Sequence, residues 1–300
     1  MTVSLAQLLE SQATLVADGG MGTMLFAAGL ARGSAPEVWN VERPEAVRRI
    51  HADYIAAGAQ IILTNSFGGS RARLSMHGLA DRAAELNRAA AQIARSAAQD
   101  ARHSVVIAGS IGPTGQMLAP YGDLEPDDAA EMFAEQAAAL VEGGVDVLWI
   151  ETMADMSEVR AAVEGCRRAA PGVPLVATLT YDTRGRTMMG ETPEHAAETL
   201  EGMGLLAHGA NCGNGPDELL TAIDHMHHAQ PQAHLVAKAN AGLPHMVDDR
   251  AVYDAGPEVM AAYARQARAN GARIIGACCG STPEHVRAIA EALRQEDPVT

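Results

Sequence analysis

The sequence contains few aromatic residues, few cysteines and no long apolar run. Phe, Trp and Tyr together make up 3% of the 300 residues, so each aromatic near a predicted site is informative. No stretch reaches the roughly 18 unbroken apolar residues that span a bilayer, which argues against a membrane protein. The 4 cysteines include no C-x-x-C pair and are too sparse for the disulfide framework of a small secreted domain.

Basic residues are also scarce, since 22 Lys and Arg stand against 37 Asp and Glu, a formal net charge of −15. A phosphate backbone or an anionic membrane repels such a surface, so we expect neither nucleic acid nor a membrane as partner. The segment Met1 to Leu15 has no basic region followed by a long apolar run, which predicts a cytoplasmic protein without a secretory signal. Small-molecule substrates are the expected partners, and the oligomeric state is left open.

Short apolar runs rich in Val, Ile and Leu recur about eight times, each followed by a polar or glycine cluster. Such runs are typical of strands buried on both faces of a parallel sheet. The runs are Thr14–Ala17, Gln60–Leu63, Ser104–Ala108, Val145–Ile150, Pro174–Leu179, Leu205–Ala210, His234–Ala237 and Ala272–Gly276. Several of the segments between them begin with Pro-Glu or Pro-Asp, which suits a first helical turn. The predicted helices are Pro44–Ala57, Asp81–Ala101, Pro126–Glu142, Met156–Ala170, Pro193–Gly202, Pro216–His228, Pro257–Asn270 and Pro283–Arg294.

About eight strand–helix repeats in 300 residues predict an α/β fold, a single-domain (β/α)8 TIM barrel over residues 1–300. The alternative is a doubly wound open sheet. That fold is disfavoured because Asp18-Gly19-Gly20-Met21-Gly22-Thr23, after the first run, does not fit the G-x-G-x-x-G fingerprint. Active sites of such barrels lie at the C-terminal ends of the strands, so candidate residues are sought there.

Three of the four cysteines fall at only two of these strand ends, Cys212 after the sixth run and Cys278 and Cys279 after the eighth. Thiolates are preferred Zn²⁺ ligands, and catalytic zinc sites keep one of four positions open. Adjacent residues of a strand face opposite sides of the sheet, so Cys278 and Cys279 can bind one ion only if the strand ends there. Gly280, directly after them, permits the strand to end. The alternative is three buried core cysteines. We predict a zinc site, with Cys166 as a packing residue outside it.

A thiolate-rich site with an open position suits a sulfur substrate. Zinc makes a bound thiol lose its proton near neutral pH. Three cysteinates keep the substrate sulfur nucleophilic, which favours alkyl transfer over hydrolysis. Asp18 and Glu151 end the first and fourth runs, where a carboxylate can bind an amino group. Capping of the helices that follow is the competing interpretation of these two carboxylates.

These strand-end residues resemble the homocysteine S-methyltransferase family from one end of the chain to the other. The resemblance is carried by Asp18-Gly19-Gly20-Met21-Gly22-Thr23-Met24-Leu25, Thr64-Asn65-Ser66-Phe67, Ala108-Gly109-Ser110-Ile111-Gly112-Pro113, Asn211-Cys212 and Gly276-Ala277-Cys278-Cys279-Gly280-Ser281. It implies a (β/α)8 barrel in which Cys212, Cys278 and Cys279 hold catalytic zinc. It also implies that homocysteine binds the zinc through its thiol, with its amino group near Asp18 and Glu151, the latter also taken as catalytic.

Further substrate-binding candidates lie at the same strand ends or in loops on the same side. They are Gly19, Gly20, Asn65, Phe67, Ser110 and Asn211 at strand ends, and Trp39 and Tyr121 in loops. A betaine carries a quaternary ammonium that donates no hydrogen bond, so aromatic faces are expected to bind it. Phe67 and Tyr181 at strand ends, and Trp39 and Tyr121 in loops, are therefore candidates for a cage around the methyl donor. For Trp39 the alternative is an anchor packed on the barrel rim.

Within the family, the chain is most similar to compact bacterial betaine–homocysteine S-methyltransferases. That likeness is carried by Pro36-Glu37-Val38-Trp39-Asn40, Val147-Leu148-Trp149-Ile150-Glu151-Thr152, Gly185-Arg186-Thr187-Met188-Met189-Gly190 and Ala237-Lys238-Ala239-Asn240-Ala241-Gly242. Thr152 and Gly68 occupy positions where the animal betaine enzymes have tyrosine. The barrel is also similar to the homocysteine domain of cobalamin-dependent methionine synthase.

The resemblance implies zinc-dependent transfer of a methyl group to the thiol of homocysteine, giving methionine, with glycine betaine as the expected donor. The alternatives within enzymes are S-methylmethionine or another sulfonium donor, and a methyltransferase component that works with a separate corrinoid protein. A zinc-storing or regulatory barrel is the non-enzymatic alternative. A protein that only stores zinc would not need Asp18, Glu151 or Asn240 at the strand ends, which argues against this alternative.

Overall fold

The computed structural model describes residues 3–247 and 250–294. Eight parallel strands form a barrel, and each of them is hydrogen-bonded to its neighbours in the order expected for sequential β–α repeats. The strands are β1 (Leu15–Val16), β2 (Ile61–Leu63), β3 (Val106–Ile111), β4 (Val147–Met153), β5 (Leu175–Leu179), β6 (Ala207–Cys212), β7 (Leu235–Ala239) and β8 (Ala272–Ala277). An isolated parallel bridge between Ala17 and Ile61 joins β1 to β2 and completes the ring. The predicted (β/α)8 barrel is confirmed.

The helices surround this barrel, and the longest follow the strands in alternation. They are α1 (Leu5–Ser11), α2 (Met21–Ala27), α3 (Trp39–Glu42), α4 (Pro44–Ala57), α5 (Arg71–Ser75), α6 (Ala83–Gln99), α7 (Pro126–Gly143), α8 (Met156–Ala169), α9 (Pro193–Gly202), α10 (Pro216–Ala229), α11 (Pro257–Ala269) and α12 (Pro283–Arg294). The described residues also include two 3₁₀ turns, Pro36–Val38 and Ala80–Arg82, and an antiparallel hairpin of Pro244–Val247 and Arg250–Tyr253. No helix in the described ranges is long and apolar enough to cross a bilayer.

All eight predicted strands and all eight predicted helices are present, with ends that differ by a few residues. The third run was expected to end at Ala108, yet β3 continues to Ile111 because Gly109, Ser110 and Ile111 still pair with β4. Elements α1, α2, α3, α5 and the hairpin were not predicted, since each is too short for a periodic pattern. The predicted domain of residues 1–300 includes residues 1, 2, 248, 249 and 295–300, which lie outside the described residues.

The interior of the barrel is a separate apolar cluster, and α1 closes one end of it. Leu5, Leu8 and Leu9 of α1 pack with inward-facing strand residues such as Trp149, which is fully buried. Arg273, beside them in β8, donates hydrogen bonds to the carbonyls of Leu9, Gln12 and Ala13. Because the N-terminal end of the barrel is filled in this way, the opposite end is the one left for a binding site. Trp149 is therefore a core residue and does not face the cavity.

Close helix packing outside the barrel depends on a glycine in α8. A Cβ added to Gly165 would lie 2.2 Å from the carbonyl oxygen of Ala130 in α7, which no side chain tolerates. A Cβ on Gly202, at the end of α9, would meet no atom within 4 Å. The two helical glycines therefore form a matched pair for testing this contact.

We expect Gly165→Ala to lower the free energy of unfolding by about 1–3 kcal/mol, because α7 and α8 must move apart to admit the methyl group. Gly202→Ala should change it by less than about 1 kcal/mol, in the stabilising direction, because alanine is the better helix former. Urea denaturation followed by far-ultraviolet circular dichroism measures both. Equal stability of the two variants would contradict this account of the interface.

Candidate active site

A cavity of about 380 Å³ lies over the C-terminal ends of the strands. Most of the predicted site residues line it: Asp18, Gly19, Gly20, Asn65, Phe67, Ser110, Glu151, Cys212, Cys278 and Cys279. Asn211, Trp39 and Tyr121 are not among its lining residues. The structure thus brings the predicted strand ends together at the open end of the barrel.

The three thiols converge at one point of this cavity. Cys212 is the last residue of β6, and Cys278 and Cys279 follow the end of β8, where Gly280 takes a left-handed φ of 81°. The strand ends where the adjacent cysteines required it to end. All three Sγ atoms lie within 4.8 Å of one another, and those of Cys212 and Cys278 are 2.7 Å apart. Tetrahedral zinc–thiolate coordination separates sulfurs by about 3.8 Å, so Cys212 and Cys278 would move apart by about 1 Å to hold one ion. The three thiols have the chemistry of a zinc ligand set.

The thiols affect one another's pKa values. Hydrogen bonding from Cys212 and Cys278 lowers the pKa of the Cys279 thiol to about 3. Contact with Cys278 and Cys279 raises the pKa of Cys212. Cys166, buried in α8, is separate from the cluster, and its burial raises its pKa to about 12. In the described part of the chain, the cluster is the only group of three or more His, Cys, Asp or Glu side chains close enough to share a metal.

Asn211 holds the end of β6 from behind the cavity wall. Its Oδ1 accepts hydrogen bonds from the Thr152 backbone N–H at 2.9 Å and from Thr178 Oγ1 at 2.7 Å. Its Nδ2 donates to Thr152 Oγ1 at 2.7 Å and lies 3.6 Å from Cys212 Sγ. Thr152 and Cys212 both adopt left-handed φ values, 61° and 59°, which cost about 1–2 kcal/mol each for residues with a Cβ. Asn211 bridges the two strained residues, so it positions a thiol rather than facing a substrate.

The two predicted carboxylates lie in different surroundings. Asp18 Oδ1 is 2.7 Å from Lys238 Nζ, and its Oδ2 accepts the Leu63 N–H at 2.7 Å, with both charged side chains buried. Glu151 accepts a hydrogen bond from Ser110 Oγ through Oε1, whereas its Oε2 has no hydrogen-bond partner among the described residues. Burial raises the pKa of Glu151 to about 7. Asp18 is therefore already paired within the protein, and Glu151 is the carboxylate with an oxygen available to a ligand.

Lys238, which pairs with Asp18, is a cavity residue that sequence reasoning missed. Burial by itself lowers its pKa, but Asp18 and Glu151 raise it by more, so the ammonium stays charged. The signal was a single lysine within the apolar run Leu235–Ala239, a strand buried along its whole length. A charge in such a strand requires a buried partner, and the partner is Asp18, 220 residues earlier.

Three further predicted substrate-binding residues, Gly19, Gly20 and Asn65, line the cavity, and the last two already form hydrogen bonds within the protein. The Gly20 backbone N–H donates to Ser281 Oγ at 2.9 Å, and a Cβ on Gly19 would lie 2.5 Å from the same oxygen. The Asn65 amide donates to two protein oxygens at 2.9 Å each. These residues shape the wall and bring β1 against the end of β8.

The predicted aromatic residues do not assemble into a cage. Trp39 is only 7% exposed, away from the cavity lining, with the Arg43 guanidinium 4.4 Å from its ring centre. Tyr121 is 72% exposed and Tyr181 is buried, and neither lines the cavity. Phe67 does line the cavity, with its ring against Gly112. Tyr253 of the hairpin, which was not predicted, packs its ring on Gly280 beside the thiols.

Charged side chains from the segments after β1 and β2 complete the cavity wall. Glu37 is 3% exposed and accepts the Gly68 backbone N–H at 2.7 Å. Arg73 and His77 line the same cavity. None of the three was a candidate from sequence, because Pro36-Glu37 has the pattern of a first helical turn and the other two are in a segment without a motif.

A family model described as homocysteine S-methyltransferase matches residues 15–293. The methionine synthase of Mycobacterium tuberculosis is 33% identical over 299 residues, which cover 94% of this chain and 25% of that protein. The methionine synthase of Mycobacterium leprae is 33% identical over 304 residues, with coverages of 95% and 25%. The chain therefore spans about a quarter of the length of these curated relatives.

Among solved structures, the homocysteine methyltransferase MmuM from Escherichia coli, in its metallated form, is similar to this chain with a TM-score of 0.80. The two are 27% identical, and the match covers 95% of this chain and 98% of that one. The carboxyl transferase domain of Rhizobium etli pyruvate carboxylase matches with a TM-score of 0.53 and 15% identity over 97% of this chain and 49% of that one, a likeness of fold alone.

We expect Glu151 to make the stability of the metal-free protein depend on pH. Its pKa rises from 4.5 to about 7 on folding, so its contribution is fully present below about pH 4.5 and is lost as the pH rises through 7. The loss amounts to roughly 3 kcal/mol. Urea denaturation from about pH 5 to 8 should show a shallower decline in Glu151→Gln than in the wild type. The exposed Glu164→Gln is the control, and identical pH profiles for wild type and Glu151→Gln would refute the assignment.

Proposed function

This chain belongs to the homocysteine S-methyltransferase family, as its strand-end motifs indicated, and we propose that it transfers a methyl group to the sulfur of homocysteine, giving methionine. The observation that carries the proposal is the convergence of three thiols in a cavity that also holds Glu151, a buried carboxylate with a free oxygen. The proposal treats residues 1–300 as one homocysteine-binding barrel domain that acts on small molecules in the cytoplasm.

The proposal assigns zinc to Cys212, Cys278 and Cys279. A zinc ion bound there supplies a Lewis acid that keeps a coordinated thiol deprotonated near neutral pH. The convergence of three soft thiol ligands at one point supports a soft divalent cation there. Asn211 and the left-handed backbone at Cys212 keep that thiol directed into the cavity.

Glu151 is the proposed partner of the homocysteine ammonium group. Its Oε2 has no hydrogen-bond partner among the described residues, and the neighbouring Ser110 fixes the carboxylate through Oε1. In this proposal Asp18 does not contact homocysteine directly, because Lys238 and the Leu63 N–H already bind its two carboxylate oxygens. The ammonium of homocysteine would thus join Lys238 in balancing the acidic groups of the cavity.

In the transfer step the homocysteine sulfur approaches the methyl carbon from the side opposite the leaving atom. The sulfur–carbon bond forms as the bond from carbon to the donor nitrogen breaks, and the electron pair stays on nitrogen to give a neutral amine. No general base is needed in this step. The protein contributes alignment of the two reactants and exclusion of water, and alignment is worth several kcal/mol of the barrier.

For the donor we propose glycine betaine. Phe67 on the cavity wall supports a donor with a permanent positive charge, because an aromatic face attracts a cation that cannot donate hydrogen bonds. A sulfonium such as S-methylmethionine has the same charge and is the alternative donor. A separate protein that delivers the methyl group is a second candidate, supported by the 33% identity to two proteins named methionine synthase.

The zinc assignment predicts the behaviour of the four cysteine variants. Cys212→Ala, Cys278→Ala and Cys279→Ala should each lower the zinc content well below one ion per chain and abolish methyl transfer, because two thiols leave the tetrahedral site incomplete. Cys166→Ala should keep both its zinc content and its methyl-transfer activity, since that thiol is buried in α8 away from the cluster. Zinc is measured by mass spectrometry after dialysis. Full methyl-transfer activity in metal-free protein would refute the zinc assignment.

The donor assignment is tested with purified protein, zinc, homocysteine and a panel of donors. We expect methionine from glycine betaine, at a rate that depends on the protein concentration. Methionine from S-methylmethionine alone would replace the donor and leave the methyl-transfer proposal intact. Methionine formed only after addition of a methylated corrinoid protein would favour the second candidate. No methionine under any of these conditions would refute methyl transfer and leave the storage alternative.

A further inference from the structure

The cavity wall carries a buried carboxylate without a contacting counter-ion. Glu37 is 3% exposed, and the Gly68 backbone N–H donates to its Oε1 at 2.7 Å. A Cβ on Gly68 would stand 3.0 Å from this oxygen, so the glycine leaves room for the carboxylate beside Phe67. In the described ranges no Lys, Arg or His lies within ion-pair distance of Glu37, and Arg73 and His77 act on it only from farther away. A buried charge left unpaired is costly, and a cation in the cavity would remove that cost.

An unpaired cation lines the same cavity. Arg73 extends from α5 along the loop after β3, where its Nη1 would be 3.0 Å from a Cβ on Gly115. Over the described residues its guanidinium makes no ion pair and donates no hydrogen bond within the protein. A planar guanidinium matches a carboxylate with two parallel hydrogen bonds. The exposed His77 lies on the same side of the cavity and adds a second donor.

We propose that Glu37, Phe67 and Arg73 form the methyl-donor subsite, and that they select a zwitterion with a permanently cationic methyl-bearing end and a carboxylate end. This deepens the proposed function and rests on it. Glu37 and Phe67 take the cationic end, which needs charge and an aromatic face but no hydrogen-bond acceptor. Arg73 takes the carboxylate. One ligand would then provide the missing partner of both unpaired charges.

The subsite is distinct from the place proposed for homocysteine. Homocysteine is also a zwitterion, but its ammonium is assigned to Glu151, on β4, and its sulfur to the thiol cluster. Glu37 and Arg73 belong to the segments that follow β1 and β2 and flank Phe67. The methyl-bearing end of a donor held by Glu37 would lie in the same cavity as that sulfur, which is the arrangement that transfer requires.

Three ligands of nearly equal shape separate the two charges of the donor. Glycine betaine has both, choline keeps the cation and lacks the carboxylate, and 3,3-dimethylbutyrate keeps the carboxylate but has carbon in place of the charged nitrogen. Each is titrated calorimetrically into the zinc-loaded full chain without homocysteine, so that no turnover occurs. We expect the wild type to bind betaine roughly tenfold or more tightly than either analogue, because each lacks one charged contact.

Two variants remove one charge each with little change of shape. Glu37→Gln keeps an acceptor for the Gly68 N–H and should weaken betaine and choline roughly tenfold to a hundredfold, with 3,3-dimethylbutyrate unchanged. Arg73→Met keeps the aliphatic stem and should weaken betaine and 3,3-dimethylbutyrate by a similar factor, with choline unchanged. Glu42→Gln and Arg71→Met are the controls, since Glu42 is exposed and Arg71 pairs with Glu135 outside the cavity.

The outcomes separate this inference from the proposed function. Betaine affinity within about twofold of wild type in both variants, or a loss of homocysteine affinity in place of betaine affinity, overturns the subsite. Failure of the wild type to prefer betaine over its two analogues does the same. If the binding pattern is as expected but no methionine forms with any donor, the subsite stands and the methyl-transfer proposal fails. If methionine forms while betaine binding is unchanged in the variants, the subsite fails and the methyl-transfer proposal stands.

Discussion

The barrel closes where its two shortest strands meet, and the carboxylate of Asp18 holds that seam. Strand β1 has two residues and β2 has three, and a single isolated bridge joins them. Asp18 adds a hydrogen bond from the Leu63 N–H of β2 and an ion pair with Lys238 of β7, so one side chain connects three strands beneath the cavity. Removing one member of a buried pair leaves the other uncompensated, at a cost of several kcal/mol. The thiol cluster and Glu151 lie at the strand ends of the barrel that these contacts of Asp18 help to close.

The same pair sets the charge of the cavity. Lys238 is the buried ammonium that faces Asp18, Glu151 and the thiols, and one positive charge does not balance that set. The remaining negative charge is compatible with a divalent cation at the sulfurs and an ammonium at Glu151. Backbone strain contributes to the same arrangement, because the left-handed Thr152 and Cys212 are both held by Asn211. Burial raises the pKa of Glu151 to about 7, so the charged carboxylate is also unfavourable in this arrangement unless a cation lies beside it.

Most of the fold and much of the cavity wall could be read from the sequence, because both follow local rules. Strands buried on both faces appear as apolar runs, and the residues just after them must meet at one end of a barrel. The site residues that were not predicted depend on long-range contacts, which a local sequence pattern does not indicate. Lys238 has its partner 220 residues away, and Glu37 reaches the cavity only through the gap left at Gly68. Trp39 was predicted to lie at the site but is buried away from the cavity. A loop position on the correct side of the barrel does not determine which way a side chain packs.

Two hydrogen bonds at the cavity join the turn after β1 to the segment after β8, which are far apart in the sequence. The Gly20 N–H donates to Ser281 Oγ across 261 residues, and the Gly280 N–H donates to Thr23 Oγ1 across 257. On the ribosome, therefore, the turn after β1 must wait until the segment after β8 has been synthesised before its partners emerge. Cys278 and Cys279 leave the exit tunnel after all eight strands of the barrel, so the thiol cluster forms only once β8 has emerged. A truncated nascent product could contain seven of the eight strands and still be unable to capture a metal ion at this site.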